Sequence, residues 1–394
     1  MILKGWIDRN LKGDPVIWTV ILLLSLIGIA GVYSSVGSLA HMRMKGNTEY
    51  YLIKHGLLVL ASLVLVWAAH KINYKYYSGL SRLALWLSVP LLIITRFVGS
   101  NIHEAQGRWL TIPIINQSFQ PSDFAKLALI AALASMLAKR QANIENFKES
   151  FIPIVLWSGV ICGIIALSNL STAIMLFATC LLIMFIGRVP LKFIGMLVIV
   201  GVLSVTAGLA AGSRLETMIQ RVQDYSKTFT SINDIPFQLK QGYIAISSGG
   251  FTGTGPGQSM HADFIPHAYS DFIYAVLIEE YGMLGGIAVL MLYLILLYRG
   301  MLIVSRSDRA FGGLLSAGLS FSLVIQAMIN MGVVVGLGPV TGQPLPLISM
   351  GGTSLLFTGI SLGIILSVSR GDISEETVPS IKNSPKNEFD EGDH

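Results

Sequence analysis

The chain is 394 residues long, 53% of them hydrophobic and 12% charged, with a formal net charge of +5. Soluble domains carry about 25% charged residues, so this composition excludes an ordinary soluble enzyme. The positive balance follows from membrane topology and does not point to nucleic acid.

Apolar runs lie near residues 16–35, 51–69, 80–98, 123–138, 151–168, 170–187, 191–211, 270–298, 310–335 and 351–369. Each is roughly 16–29 residues long, against the ~20 that a helix needs to cross a bilayer, so the chain reads as an all-α polytopic membrane protein with about ten transmembrane helices. Some breaks are thin: only Ser168 and Asn169 part the fifth run from the sixth, and Gly187, Arg188 and Pro190 mark the next. The first run is too long for a typical signal-peptide core and reads as an uncleaved anchor. Cys162 and Cys180 fall inside runs without metal-ligand spacing and read as buried, inert thiols. No internal repeat is evident, which weighs against an inverted-repeat transporter.

Basic residues set the orientation. Lys4, Arg9, Lys12, Lys71, Lys75, Arg82, Lys139, Arg140, Lys148, Arg188, Lys192, Arg299, Arg306 and Arg309 fall on one side, against Arg43, Lys45 and Arg108 in the short loops of the other, with Lys54 and Arg96 at their edges. The bias places both termini in the cytoplasm. The loop over residues 212–268 then faces outward, and the acidic, polar segment 371–394 reads as a disordered cytoplasmic tail.

The outward face collects the unusual residues. After the third run the chain reads HEAQGRWLTIPIINQSFQPSDFAK. Pro121 suits the first turn of a helix, and Asp123 and Lys126 are spaced to pair on one helix face. Lys126 either serves that pair or points into a cavity toward an anion. Arg108 beside Trp109 fits an interfacial anchor and a phosphate ligand equally well.

The long loop contains SGGFTGTGPGQS at residues 248–259, and its surroundings offer no βαβ unit for dinucleotide binding. Its glycines permit tight turns or close approach to a ligand. The nearly uncharged GLGPVTGQPLPLISMGGTS, residues 336–354, is irregular backbone at membrane depth. Such backbone is tolerated only where it is buried in protein or lines a watery cavity, and a cavity open to the outer face is the expectation.

Asp271 stands where the long loop runs into an apolar helix, in PHAYSDFIYAVLIEEYG. It either caps that helix or performs chemistry. Were residues 271–280 helical, Glu279 would sit about 12 Å along the axis from Asp271. That exceeds the ~5–9.5 Å of paired glycosidase carboxylates, so a single-base mechanism fits better than a two-carboxylate one. Asp263, from the loop, stays open as a second acid.

Together these segments resemble the SEDS family (shape, elongation, division and sporulation), the family of RodA, FtsW and SpoVE. The resemblance spans nearly the whole chain and rests on GRWL with QPSDFAK, QLKQGYIAISSGGFTGTGPGQS, PHAYSDFIYAVLIEEYG, PVTGQPLPLISMGGTS and the closing VSR. Three departures stand out: Asp123 where the family usually has Glu, SNLST at 168–172 where it has Pro-Asp-Leu-Gly-Thr, and SMGGTS for SYGGSS. The approach to Asp271 is closer to the FtsW type than to the RodA type.

The resemblance implies one SEDS-type glycosyltransferase domain over residues 1–370 that polymerises lipid II into glycan strands outside the bacterial cytoplasmic membrane, at the division septum. Asp271 matches the family's essential loop aspartate and would be the general base on the acceptor 4-hydroxyl, inverting an α-pyrophosphate donor to a β-1,4 linkage. Arg108, Lys126, Arg214 and Lys240 are candidate pyrophosphate contacts, with Gln241 and His267 as further substrate-binding candidates. No cofactor is certain, and a divalent Mg or Mn ion is a candidate. The implied partners are lipid II, the nascent glycan strand, a class B penicillin-binding transpeptidase and other division-complex membrane proteins. The alternatives are an elongation-type polymerase, a lipid II flippase, for which Glu279 and Glu280 are the one inward-reaching hint, and a division scaffold.

Overall fold

The computed structural model describes residues 10–37, 39, 47–98, 109–112, 117–211, 214–227 and 235–376, with backbone alone at 111–112, 117–118, 207–211, 214–218, 227 and 372–376. In chain order the helices are α1 (Pro15–Ser35), α2 (Thr48–Lys71), α3 (Tyr74–Val98), α4 (Pro121–Lys139), α5 (Ile152–Ser168), α6 (Leu170–Ile186), α7 (Leu191–Ala211), α8 (Arg214–Lys227), α9 (Phe237–Gly249), α10 (Ile273–Arg306), α11 (Ala310–Val334) and α12 (Thr353–Glu376). Between α3 and α4 a small antiparallel hairpin pairs β1 (Leu110–Ile112) with β2 (Gln117–Phe119), Thr111 opposite Ser118.

Among the described residues eight helical spans are long and apolar enough to cross a membrane: α1 to α4, α5 together with the helical turn before it (Phe147–Ser168), and α10 to α12. The apolar helix α6 and the stretch Leu191–Thr206 of α7 are shorter by that measure and lie where the sixth and seventh runs were expected. The protein is an all-α, multi-pass membrane protein. The loop over 212–268 is itself structured, since it carries α8 and α9. The last helix runs on to Glu376, and residues 377–394 of the expected tail lie outside the described residues.

Local chemistry explains the helix ends. Asp14 accepts a hydrogen bond from the Val16 amide (2.8 Å) with Pro15 at the first position, which starts α1. The same carboxylate takes Arg299 of α10 at 2.6 Å, tying two helix ends on the basic side. Asn169 ends α5 and caps α6 by accepting from Thr172 N (3.3 Å), so two apolar runs with almost no gap still form two helices.

Helices α4, α11 and α12 form the centre, with 72%, 67% and 67% of their apolar windows buried, against 28% for α2, α3 and α10. The outer helices present Leu57, Leu60, Val64, Leu83 and Trp86 outward, the side chains a lipid environment solvates. The central helix α11 carries Gly312, Gly313, Ser316, Ala317, Gly318 and Ser320 on buried positions. Small residues allow the close helix approach on which association in lipid depends. Cys162 and Cys180 are free and buried, as expected.

Candidate active site

Asp271 lies in a turn, two residues ahead of α10. The N-cap of α10 is Phe272, and no side chain caps the helix, so the capping role that sequence allows Asp271 is not the one it takes. The helical path assumed from Asp271 to Glu279 likewise fails over its first step.

The backbone around Asp271 is fixed from two directions. From its own loop, the His267 carbonyl accepts from the amides of Ser270 (3.0 Å) and Asp271 (3.1 Å), a reversal made possible by φ 58° at His267. From the connection between α11 and α12, Ser349 Oγ donates to the Ser270 carbonyl (2.5 Å), and the Met350 amide donates to that of Tyr269 (2.9 Å). Asn330 of α11 donates its amide hydrogens to the carbonyls of Asp271 (2.9 Å) and Gln343 (2.7 Å). Both donors are spent on carbonyls, which fixes the orientation of the amide.

The carboxylate itself is half-buried and accepts from Ser270 Oγ on Oδ1 (3.1 Å). A Cβ placed on Gly342, whose φ is +63°, would stand 3.4 Å from Asp271 Oδ2. The glycine packs against that oxygen while the surrounding hydrogen bonds hold the backbone of Asp271 in place.

Asp123 and Lys126 form the expected pair at 2.8 Å, and Lys126 also donates to Gln326 of α11 (3.3 Å). Both, with Gln326 and Thr358, line a cavity of about 30 Å³ between α4, α11 and α12. Gln326 in turn donates to the Pro344 carbonyl (2.8 Å). Gln326 and Asn330 are therefore one helical turn apart on α11, and each grips a successive carbonyl of the Pro-rich connection. One is bonded to Lys126 and the other to the backbone of Asp271. That connection is a packed plug: Leu345, Leu347 and Ile348 are buried, and Tyr293 donates to the Pro346 carbonyl (2.5 Å). Of the two settings tolerated for irregular backbone at membrane depth, burial in protein applies to residues 343 and 345–349, while Gly342 and Leu337 are exposed and Ser354 lines the small cavity with Lys126.

The glycine-rich stretch has a similar explanation. Helix α10 is interrupted at Gly282 (φ 70°, ψ −174°), which frees backbone groups at membrane depth. Residues 250–255 take them up: the amides of Thr254 and Gly255 donate to the carbonyls of Glu279 (2.9 Å) and Glu280 (3.0 Å), and the Met283 amide donates to that of Gly250 (2.9 Å). A Cβ on Gly253 would fall 2.1 Å from the Glu280 carbonyl, and one on Gly282 2.2 Å from that of Phe251. The close approach that the glycines permit is to this helix.

Glu279 and Glu280 serve the same junction. Glu279 accepts from the amides of Met260 (3.0 Å) and His261 (3.3 Å) and from Ser259 Oγ (2.5 Å), while Glu280 accepts from Ser34 Oγ of α1. Asp263 is exposed, its Oδ1 against the end of α1 at Gly37.

The other candidates separate. Arg108 lies outside the described residues, as does the side chain of Arg214. Lys240 is half-buried on α9, and Gln241 Oε1 meets His261 Nδ1 at 3.3 Å. The His267 ring is exposed and meets the Tyr269 hydroxyl (3.2 Å), so its backbone is what orders Asp271. Helix α9 packs on Phe272 through Gly242, and its Tyr243, with Tyr225 of α8, borders Gly336 of the plug. Burial pushes the Tyr243 phenol up, with Tyr225 adding to the effect. Among the described residues no three His, Cys, Asp or Glu side chains gather as metal ligands, so they offer the candidate Mg or Mn ion no ready-made cage.

Sequence reasoning missed Asn330, Gln326, Gln343 and Thr172, the last accepting from Gln343 Nε2 (3.0 Å). A polar amide in an apolar helix is costly unless it has a partner, and Gln326 and Asn330 at one-turn spacing carried that signal.

The bundle defines a multi-pass membrane protein in which a half-buried carboxylate sits where a long loop, the 336–354 connection and a broken helix meet. The family model FTSW_RODA_SPOVE, described as cell cycle protein, matches residues 14–373. The chain belongs to this family. It is 32% identical over 367 residues to stage V sporulation protein E of Bacillus subtilis (strain 168), covering 92% of this chain and 98% of that one. It is 31% identical to the probable peptidoglycan glycosyltransferase FtsW of Haemophilus influenzae, covering 91% of each. Among solved structures it resembles a chain from a peptidoglycan synthase complex studied for the coordination of polymerization and crosslinking (TM-score 0.70, 25% identity, 91% of this chain and 98% of that one). It shares its fold with the rod shape determining protein RodA of Thermus thermophilus (TM-score 0.64, 24% identity, 92% and 98%).

Proposed function

We propose that this protein is a peptidoglycan glycosyltransferase that polymerises lipid II on the outer face of the bacterial inner membrane, with both termini in the cytoplasm, during septal wall synthesis. The observation that carries the reading is the placement of Asp271: its half-buried carboxylate stands in a turn two residues ahead of α10, its backbone is held by Asn330 and the 267–270 turn, and Gly342 stands against Oδ2. Family membership and the glycosyltransferase names of relatives support it.

In this reading Asp271 takes the proton of the acceptor 4-hydroxyl as that oxygen attacks the anomeric carbon of the donor. The C–O bond to the polyprenyl pyrophosphate breaks on the opposite face, which gives an inverted β-1,4 linkage. The leaving pyrophosphate needs its charge neutralised more than it needs a proton. Lys126, already facing a polar cavity, and Lys240 are the described basic residues for that task; Arg108 and Arg214 remain candidates from sequence. A class B penicillin-binding transpeptidase is the proposed partner for crosslinking.

The test is lipid II polymerisation by the purified chain with its cognate transpeptidase, wild type beside Asp271→Asn. Glycan strands from the wild type and none from a folded, partner-bound variant support the assignment. Equal activity in both sinks it.

A further inference from the structure

A second cavity, of about 340 Å³, opens between α3, α4 and α5 at the end of the bundle away from Asp271. Its walls include Leu85, Met136 and two tryptophans, Trp86 and Trp157, packed edge to face with centroids 4.8 Å apart. Ser78 and Ser135 also line it and share a hydrogen bond (2.7 Å). Its cationic lining is Arg82, Lys139 and Arg140.

Three observations give this cavity a ligand class. First, its charge has one sign: three cations line it, and Glu145 and Glu149 of the following loop are not among the lining side chains. Arg140 Nε donates to the Glu149 carbonyl (3.1 Å), which orients the guanidinium without neutralising it. Arg82 and Lys139 form no ion pair with another described residue. Second, depth: Lys139 ends α4, Ser78 and Arg82 lie in the first turns of α3, and Trp157 lies in the second turn of α5. All stand at the end that the basic bias of the loops assigns to the cytoplasm. Third, the apolar wall continues onto a lipid-facing surface, since Trp86, Leu83 and Leu87 of α3 are 63%, 67% and 51% exposed.

A ligand for such a site carries a phosphate at the level of the inner headgroups and an acyl chain beside it. We propose that the α3–α4–α5 cavity binds an anionic glycerophospholipid of the cytoplasmic leaflet. Its phosphate meets Arg82, Lys139 and Arg140, the serine hydroxyls meet its glycerol or headgroup oxygens, and a chain lies along Trp86 and Trp157. Basic pockets between helices on the cytoplasmic side recognise such headgroups through the same chemistry. The proposal does not depend on the glycosyltransferase reading, because none of these side chains belongs to the outer site.

Native mass spectrometry of the full chain in neutral detergent, titrated with phosphatidylglycerol, tests it. The expected result is preferential retention of phosphatidylglycerol over phosphatidylcholine, with the first binding step roughly tenfold weaker in Arg82→Gln/Lys139→Gln. A control variant, Lys71→Gln/Lys192→Gln, removes equal charge from the same end outside the cavity and should bind like the wild type. Arg82 and Lys139 are exposed, so the melting temperature of the double variant should match the wild type. Equal weakening in both variants, or equal retention of the two lipids, overturns the site. Displacement of phosphatidylglycerol by stoichiometric inorganic phosphate would reassign it to free phosphate. Displacement by a stoichiometric polyprenyl pyrophosphate would reassign it to the lipid carrier. Either reassignment overturns the phospholipid proposal.

Discussion

Asp271 and Glu279 are acids on either side of the start of one helix, and they meet opposite fates. Glu279 is 1% exposed and its oxygens accept three hydrogen bonds from residues 259–261, so it is consumed as a fastener of the long loop. Asp271 is half-buried, its peptide group is what the neighbours hold, and a glycine stands beside one carboxylate oxygen. A buried carboxylate needs donors around it, whereas a half-buried one in a turn with a fixed backbone is the placement proposed above for a base.

That contrast can be broken by mutation. The largest effect belongs to Asp271→Asn, expected to lower polymerisation by about 10²–10⁴-fold, the range for removal of a general base. Its melting temperature should stay near that of the wild type. Next comes Gly282→Ala, where a Cβ at positive φ meets the Phe251 carbonyl. It should destabilise the protein by about 3 kcal/mol, read as a lowered melting temperature in detergent.

Glu279→Gln sharpens the comparison from the other side. A neutral amide keeps one acceptor and loses the charge assistance, for an expected loss of about 1–3 kcal/mol in stability. Turnover per folded molecule should be close to wild type, and a loss of turnover at unchanged stability would move Glu279 into the chemistry. Asn330→Leu leaves the carbonyls of Asp271 and Gln343 without their donor and should cost about tenfold in polymerisation at matched folded protein. The smallest effect is Ser270→Ala, which removes one hydrogen bond to Oδ1 and should change turnover by about threefold, measured in the same assay.

Much of the fold was legible because lipid imposes few choices. A backbone without water must close its own hydrogen bonds, so apolar runs of sufficient length become helices. The positions of the runs, the Asp123–Lys126 pair, the buried cysteines and the start of α4 at Pro121 followed from residue type and spacing. Asp271 was legible as a candidate because an acid is conspicuous where a long loop enters an apolar helix.

Other features were not legible, since they depend on partners distant in sequence. Nothing near Asp271 announces that Phe272 is the N-cap, that Asn330 reaches its carbonyl, or that Gly342 abuts its carboxylate. The glycines of 250–255 read as allowing tight turns or close approach to a ligand, and nothing in the local sequence shows that what they approach is the break at Gly282. Within the Pro-rich segment 336–354, local sequence could not tell that residues 345–349 pack into protein while Gly342 stays exposed.

By itself the sequence determined that the chain is a membrane-embedded helical bundle with its unusual chemistry in the connections. Hydropathy and charge act locally, residue by residue, against the bilayer. Only the tertiary structure decided that Glu279 fastens the long loop while Asp271 sits half-buried in a turn with its backbone held. That choice is made by hydrogen bonds between segments tens of residues apart, and it exists only once α10, α11 and the plug have packed together.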